Sequence, residues 1–295
     1  MSYHKCAVDG CPAKPISFTH YCWQHVPDKK AFLKKLKASI RSSVAPVSLD
    51  KIVLEDFDMS GLDLRSASFM RGIFINVDFS NTNLTNANFK SCFFQGCKFH
   101  HAKMVQSTLS GAIIVDSEFV DADLSMVEGN QLKIKNSTFT NLYIKSADLK
   151  NTFWKNVEIK ASQVTDGNFM MSYFDNLTVN DTKLDNALCS GGQFHNCNFV
   201  MSDLIQMNYI GCILDDSTFK TSHLRNCRFA QAIIRDSVFE NCKLNKPIMR
   251  ETQLIGGKFV RCTITNPSLQ RAVLIHNNLN IKKLANADTE GMVVM

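Results

Sequence analysis

Residues 62–79 read Leu62-Asp63-Leu64-Arg65-Ser66-Ala67-Ser68-Phe69-Met70-Arg71-Gly72-Ile73-Phe74-Ile75-Asn76-Val77-Asp78-Phe79. A large apolar residue stands at 64, 69, 74 and 79, and the five-residue step continues in both directions. From Leu54 to Leu284 it passes 47 positions without losing frame, and only Gly129 among them is not apolar. A chain that is 45% hydrophobic would fill roughly 21 of those positions by chance. Two residues before each comes a small side chain, as at Ala67, Gly72, Ala87, Cys92 and Ala102. Two residues after, Asn, Asp or Gly is frequent, as at Asn76, Asn81, Gly96, Gly111 and Asp116. Those three types tolerate tight turns and bond locally. Each pentad therefore reads as small inside, polar outside, large inside, then a two-residue corner.

A fixed short repeat dictates architecture. With units such as Ala67-Ser68-Phe69, Ala87-Asn88-Phe89, Ala122-Asp123-Leu124 and Ala147-Asp148-Leu149, the chain resembles the pentapeptide-repeat family over about four-fifths of its length. The resemblance implies an all-β fold, a right-handed quadrilateral β-helix with four pentads per coil. The sequence tests that coil length. Taken every fourth pentad, one side reads Phe79, Phe99, Phe119, Phe139, Ile159, Val179, Phe199, Phe219, Phe239, Phe259. The next reads Leu84, Met104, Leu124, Ile144 and on to Leu284, with no aromatic. Coils stacked about 4.8 Å apart give a rod about 55 Å long. Residues 125–133, with Gly129 in a large slot and Leu132 in a small one, predict a distorted coil. Pro247 and Pro267 fill small slots and predict slight irregularity, since proline lacks a ladder donor.

The chain divides into residues 1–27, 28–47, 48–286 and 287–295: a zinc-knuckle-like segment, a basic amphipathic helix with its linker, the solenoid, and a tail. The first carries Cys6, Cys11, Cys22 and His25 in the spacing C-x4-C-x10-C-x2-H. Three thiolates and an imidazole suit one tetrahedral, structural Zn²⁺. A segment this short cannot bury a core, so metal would supply its folding energy. It resembles the small Cys3His zinc knuckles of bacterial and phage proteins. In the second segment Phe32, Leu33, Leu36 and Ile40 share one helical face, with Asp28 as N-cap. That face is read as a cap over the solenoid's first coil. The opposite face offers Lys29, Lys30, Lys34, Lys35, Lys37 and Arg41 for contact with a nucleic acid or another polyanion.

Charge follows the same division. Residues 1–50 hold eight Lys or Arg against three Asp, leaving the remainder nearly neutral. Seven of the eleven cysteines (Cys92, Cys97, Cys197, Cys212, Cys227, Cys242, Cys262) occupy small interior slots and Cys189 a large one, which reads as reduced, buried thiols. No apolar run is long enough to span a bilayer, and no apolar stretch follows Met1, so the cytoplasm is the expected compartment. No phosphate-binding loop, nucleophile elbow or triad is present, and an enzyme is not expected.

One outward slot is apolar where its equivalents are polar: Ile73, Phe93, Ile113, Phe153, Tyr173, Ile213, Ile233 and Val273. Aligned exposed apolar groups mark partner surfaces. The leading reading is a non-catalytic scaffold presenting this stripe to a protein. The family resemblance implies an alternative, mimicry of duplex DNA toward DNA gyrase or topoisomerase IV, for which a near-neutral rod without projecting loops is a departure. Nucleic-acid binding through residues 1–41 is a third reading. The last coil, with Val273, Ile275 and Ile281 nearby, is a further expected surface, for a homodimer.

Overall fold

The computed structural model describes residues 5–43, 46–284 and 286–295. Its body is a β-solenoid of about twelve coils. Strands pair in parallel with partners twenty residues away, as Leu54 with Phe74, Phe74 with Phe94, and Leu184 with Leu204. The bonds between coils are short and regular: Phe69 N–H donates to Asn88 O at 2.8 Å, and Asn88 N–H to Ala67 O at 2.8 Å.

The pentad pattern maps onto this backbone directly. The large slot points inward, and ring stacks repeat at the coil spacing. Phe79–Phe99, Phe99–Phe119 and Phe119–Phe139 centroids lie 5.1, 4.5 and 4.7 Å apart. Phe199, Phe219, Phe239 and Phe259 repeat the stack at 4.8, 4.7 and 4.8 Å. Such pairs contribute about 0.5–1.5 kcal/mol each beyond burial. The small slot does more than make room. Ser117 Oγ accepts from Cys97 N, and Ser137 Oγ from Ser117 N, both at 3.1 Å. Cys92, Cys227 and Cys242 donate their thiols to Phe69, Leu204 and Phe219 carbonyls at 2.9, 2.8 and 3.1 Å. Burial pushes the Cys227 thiol up to about 12, so these are neutral donors.

Corners take a left-handed residue two positions after the large slot, as at Asn76 (φ 53°) and Gly96 (φ 64°). Asparagines there form ladders: Asn156 Nδ2 donates to Asn136 Oδ1 at 2.9 Å and Asn176 Nδ2 to Asn156 Oδ1 at 3.0 Å. Thr221 occupies the same corner at φ 53°, where a β-branched side chain is strained.

At the N-terminal end, α1 (Lys29–Ser42) lays Leu36 and Ile40, both buried, against the first coil, and Asp28 accepts from Ala31 N at 2.9 Å. At the other end the expectation of a tail needs correction. Asp288 bridges Ser268, and Val293 and Val294 pair with Val273 and Leu274, so residues 287–295 complete two sides of a last coil. They keep the twenty-residue register even though Thr289 stands in a large slot. The other two sides are lost. Residues 281–283 turn as a short 3-10 helix, and Asn278 replaces the missing strand by bonding Phe259 N and O through its side chain at 2.6 and 3.0 Å.

The coil at residues 125–133 is not distorted. Gly129 N–H donates to Asp148 O at 2.8 Å and Met126 N–H to Lys145 O at 2.7 Å. Leu132 supplies the volume that Gly129 lacks: a Cβ on Gly129 would meet Leu149 Cδ2 at 2.6 Å and Leu132 Cδ2 at 3.3 Å. Pro247 and Pro267 leave the ladder intact as well, because there their carbonyls act, accepting from Ser268 N and Asp288 N at 3.0 Å.

Two substitutions check these accounts by denaturant midpoint. Thr221→Asn relieves the corner and stabilises by about 1 kcal/mol. Gly129→Ala destabilises by about 1–3 kcal/mol, and Leu132→Ala made together with it costs less than the two single effects added.

Candidate metal centre and outer apolar stripe

Residues 5–27 fold around four ligand atoms. Cys6 N–H bonds Ala13 O, Ala7 N–H bonds His20 O, and Ile16 N–H bonds Tyr21 O, each at 3.0 Å. The loop so tied brings Cys6 and Cys11 beside the 3-10 turn Trp23–His25. Cys6 Sγ and Cys22 Sγ each lie 3.4 Å from His25 Nδ1, and Cys11 Sγ lies 4.0 Å from Cys22 Sγ. All four ligand atoms fall within 4.8 Å of one another. A tetrahedral ion with bonds of about 2.0–2.3 Å has ligand–ligand edges of about 3.5–3.8 Å, so the donor set fits a metal ion. Burial opposes ionisation of Cys6, yet the backbone around Cys22 and Val8 and the His25 and Cys22 side chains hold its thiol down to about 6. Burial raises the Cys22 thiol, and the neighbouring Cys6 and Cys11 sulfurs add to it. Clustered sulfurs of this kind resist sharing more than one negative charge until a cation joins them.

The knuckle is tied to the rod. Ser17 N–H donates to Ser48 O at 2.7 Å and Ser48 N–H to Ser17 Oγ at 2.8 Å. Ile16, Trp23 and Val26 are buried and join the solenoid core, while Phe32 of α1 packs on Trp23 at 6.2 Å. Knuckle, helix and first coil thus share one apolar junction.

The basic residues of α1 divide. Lys29 lies over the Trp23 ring at 5.2 Å. Lys37 pairs with Asp58 at 2.5 Å and approaches the Phe57 ring. The bond from Lys37, with help from Ser60, holds the Asp58 carboxyl down at about 2. A depressed carboxyl adds stability above its unfolded value, so this tie between helix and rod weakens only as pH falls toward about 2. Lys30, Lys34, Lys35 and Arg41 are exposed.

The eight stripe residues all fall on one side sheet, each at the first position of its strand. The ladder is longer than the sequence pattern indicated. It runs Val53, Ile73, Phe93, Ile113, Lys133, Phe153, Tyr173, Gln193, Ile213, Ile233, Gln253, Val273, Val293. Val53, Ile73, Ile113 and Val293 are 37%, 39%, 36% and 42% exposed; Phe93, Phe153, Tyr173, Ile213, Ile233 and Val273 are half-buried by their neighbours, and the polar Lys133, Gln193 and Gln253 are exposed. Phe153 and Tyr173 stack face to face at 5.3 Å. The third strand position adds Ile75, Val115, Ile255 and Ile275 to the same face; the stripe pattern passed over the first three because that column also holds charges. Val273 and Ile275, named also for the C-terminal surface, lie on this side in the last strand but one of the sheet, and Ile281 is half-buried beside the core.

Charges pair between coils, Lys155 with Asp175 at 2.7 Å and Arg235 with Asp215 at 3.3 Å in the third-position column of this face, and Arg261 with Glu240 at 2.9 Å. Histidines on the rod approach acids in the same way, as His223 with Asp203 at 2.8 Å and His100 with Glu118 at 3.2 Å. Among the described residues no helix is long and apolar enough to cross a membrane.

The family model described as a pentapeptide repeat region matches residues 192–269, and that described as pentapeptide repeats (8 copies) matches residues 48–86, 58–100 and 92–125. Together they cover more than half of the chain. None of the curated proteins matches the sequence. Among solved structures, a trypsin-treated variant of QnrB1, a plasmid-mediated fluoroquinolone resistance protein, is 14% identical over 67% of this chain and 89% of its own, with a TM-score of 0.37. HetL, a pentapeptide repeat protein involved in heterocyst differentiation regulation from the cyanobacterium Nostoc sp. strain PCC 7120, is 15% identical over 89% of this chain and 90% of its own, with a TM-score of 0.28. The A-module of the Azotobacter vinelandii mannuronan C-5 epimerase AlgE4 is 9% identical over 88% and 93%, with a TM-score of 0.35. With identities below 25% and TM-scores below 0.5, none of these likenesses bears on what this chain binds.

Elemental analysis of the purified full chain is expected to find one metal ion per molecule, and none in Cys22→Ser. Chelation should expose residues 5–27 to protease while the rod keeps its far-ultraviolet signal, because the ladders beyond the first coil do not involve the knuckle.

Proposed function

The chain belongs to the pentapeptide-repeat family, and from that premise we propose that it is a non-catalytic binding protein whose rod presents its apolar side to a protein partner. The observation that carries this reading is the outward ladder from Val53 to Val293, continuous along one sheet and interrupted only by Lys133, Gln193 and Gln253. Isolated surface apolar residues need no explanation, whereas an aligned stripe as long as the rod does. Zinc is the ion we assign to the Cys6, Cys11, Cys22 and His25 cluster, in a structural role that holds the N-terminal junction closed. The cytoplasm is the compartment that keeps its ligand thiols reduced.

Two other roles compete for the same molecule. Binding of DNA gyrase or topoisomerase IV by duplex mimicry, the alternative that the family resemblance implies, demands a dense negative surface. Here the rod is nearly neutral, and outer acids such as Asp175, Asp215 and Glu240 pair with bases on adjacent coils. Nucleic-acid binding would use the exposed Lys30, Lys34, Lys35 and Arg41 of α1.

Capture with the immobilised full chain separates the three. The proposal expects a bound protein that is lost with Phe93→Asp or Ile113→Asp while circular dichroism stays unchanged. A bound protein held equally by both variants overturns it. Supercoiling inhibition that survives both substitutions favours the topoisomerase role, and salt-sensitive nucleic acid lost with Lys34→Glu/Lys35→Glu favours the third.

A further inference from the structure

The apolar ladder has an internal order. From Val53 to Val273 its outward residues run Val, Ile, Phe, Ile, Lys, Phe, then Tyr, Gln, Ile, Ile, Gln, Val. Turned end for end about the step between Phe153 and Tyr173, the column nearly reproduces itself. Phe153 meets Tyr173, Lys133 meets Gln193, Ile113 meets Ile213, Phe93 meets Ile233 and Val53 meets Val273. Only Ile73 against Gln253 breaks the match of apolar with apolar and polar with polar. The neighbouring outward column keeps this order only in part: Lys155 falls opposite Asp175, Gln95 opposite Arg235 and Ile75 opposite Ile255, whereas Val115 falls opposite Asp215, Glu55 opposite Ile275 and Lys135 opposite His195.

We propose that the occupant of this face is a second copy of the chain, packed face to face with its rod antiparallel, about a two-fold axis level with the step from Phe153 to Tyr173. This rests on the reading that the face binds protein, and it names the partner. In such an isologous contact, residue i of one copy meets j of the other and j meets i.

Two symmetric packings of the face are available, and charge chooses between them. An axis running along the strands makes the rods antiparallel and sets each column against itself. Lys155 of each copy then reaches Asp175 of the other. An axis along the rod keeps the rods parallel and sets the first column against the second at the same level. That packing puts Lys133 against Lys135 of the other copy, twice, and the Phe153 ring against Lys155, in the middle of the contact. Like charges directly opposed are costly at an interface. The stacked Phe153 and Tyr173 rings lie at the antiparallel axis, where a central aromatic anchor is most effective.

The size is adequate. Val53 and Val273 are separated by eleven coil steps, about 53 Å, and a strand of three residues is about 10 Å wide. The footprint is about 500 Å² per copy, roughly 1,000–1,200 Å² in total, at the lower edge of specific interfaces. A reversible dimer is therefore expected.

Sedimentation velocity of the full chain from about 1 to 100 μM tests this. Ile113→Lys and Ile213→Asp should each weaken self-association by about 100-fold. The double variant Ile113→Lys/Ile213→Asp should restore it, because the new charges meet only across an antiparallel two-fold. Within one copy they stand five coils, roughly 24 Å, apart. Circular dichroism reports that each variant is folded. A wild-type chain that stays monomeric at the highest concentration overturns self-pairing and leaves a different protein as the occupant, which the capture experiment reads separately. A dimer indifferent to both single substitutions places the contact elsewhere, the C-terminal coil included, and overturns the proposal. A dimer broken by both and not restored by the double variant overturns the antiparallel register.

Discussion

The backbone hydrogen bond between a residue and its counterpart one coil away governs this molecule. Each coil donates and accepts along its rim, as Asn88 N does to Ala67 O and Phe69 N to Asn88 O. Every such pair requires a coil of twenty residues, so one inserted residue would turn the following inward groups outward. That constraint explains why the frame holds from Leu54 to Leu284 and returns at Val294. It also creates the need at each end, because the outer coils present edges that nothing in the repeat can satisfy.

The two ends meet that need differently. The N-terminal edge is covered by imported structure: Ser17 pairs with Ser48, and Leu36, Ile40 and Trp23 close the apolar mouth. The knuckle beneath Trp23 is too short to hold itself, which is why its ligand cluster matters to the rod. The C-terminal edge uses what the chain already has. Asn278 stands in for a strand with its amide, and residues 287–295 cover two sides while Ile264 and Phe259 remain half-buried.

The solenoid was legible in the sequence because its signal is a period, repeated in nearly every coil, and the ligand set because its spacing is local. Three features were not, each for a physical reason. The small slot was read as volume alone, yet Ser117, Ser137 and Cys92 are there as bonding groups for buried backbone. The Gly129 and Leu132 pair looked like a fault because each slot was judged separately, although the core responds to their summed volume. Residues 287–295 looked like a tail because Thr289 in a large slot, and Asn277 and Lys282 in small ones, hide a register that only backbone pairing restores.

Strict stacking has a consequence for the surface as well. Any outward slot becomes a column of groups one coil apart, so a substitution tolerated once becomes a stripe when it recurs. The neighbouring column places opposite charges on adjacent coils in places, as Lys155 with Asp175 and Arg235 with Asp215. The column from Val53 to Val293 does not alternate; it is apolar in runs, with Lys133 and Gln193 equidistant from the Phe153–Tyr173 step and Gln253 and Val293 without a like counterpart. Selection for solubility alone would scatter polar residues along it without regard to centre. A symmetric arrangement has a physical use only if the column is read against its own reverse, and a second antiparallel rod is the surface that reads it so.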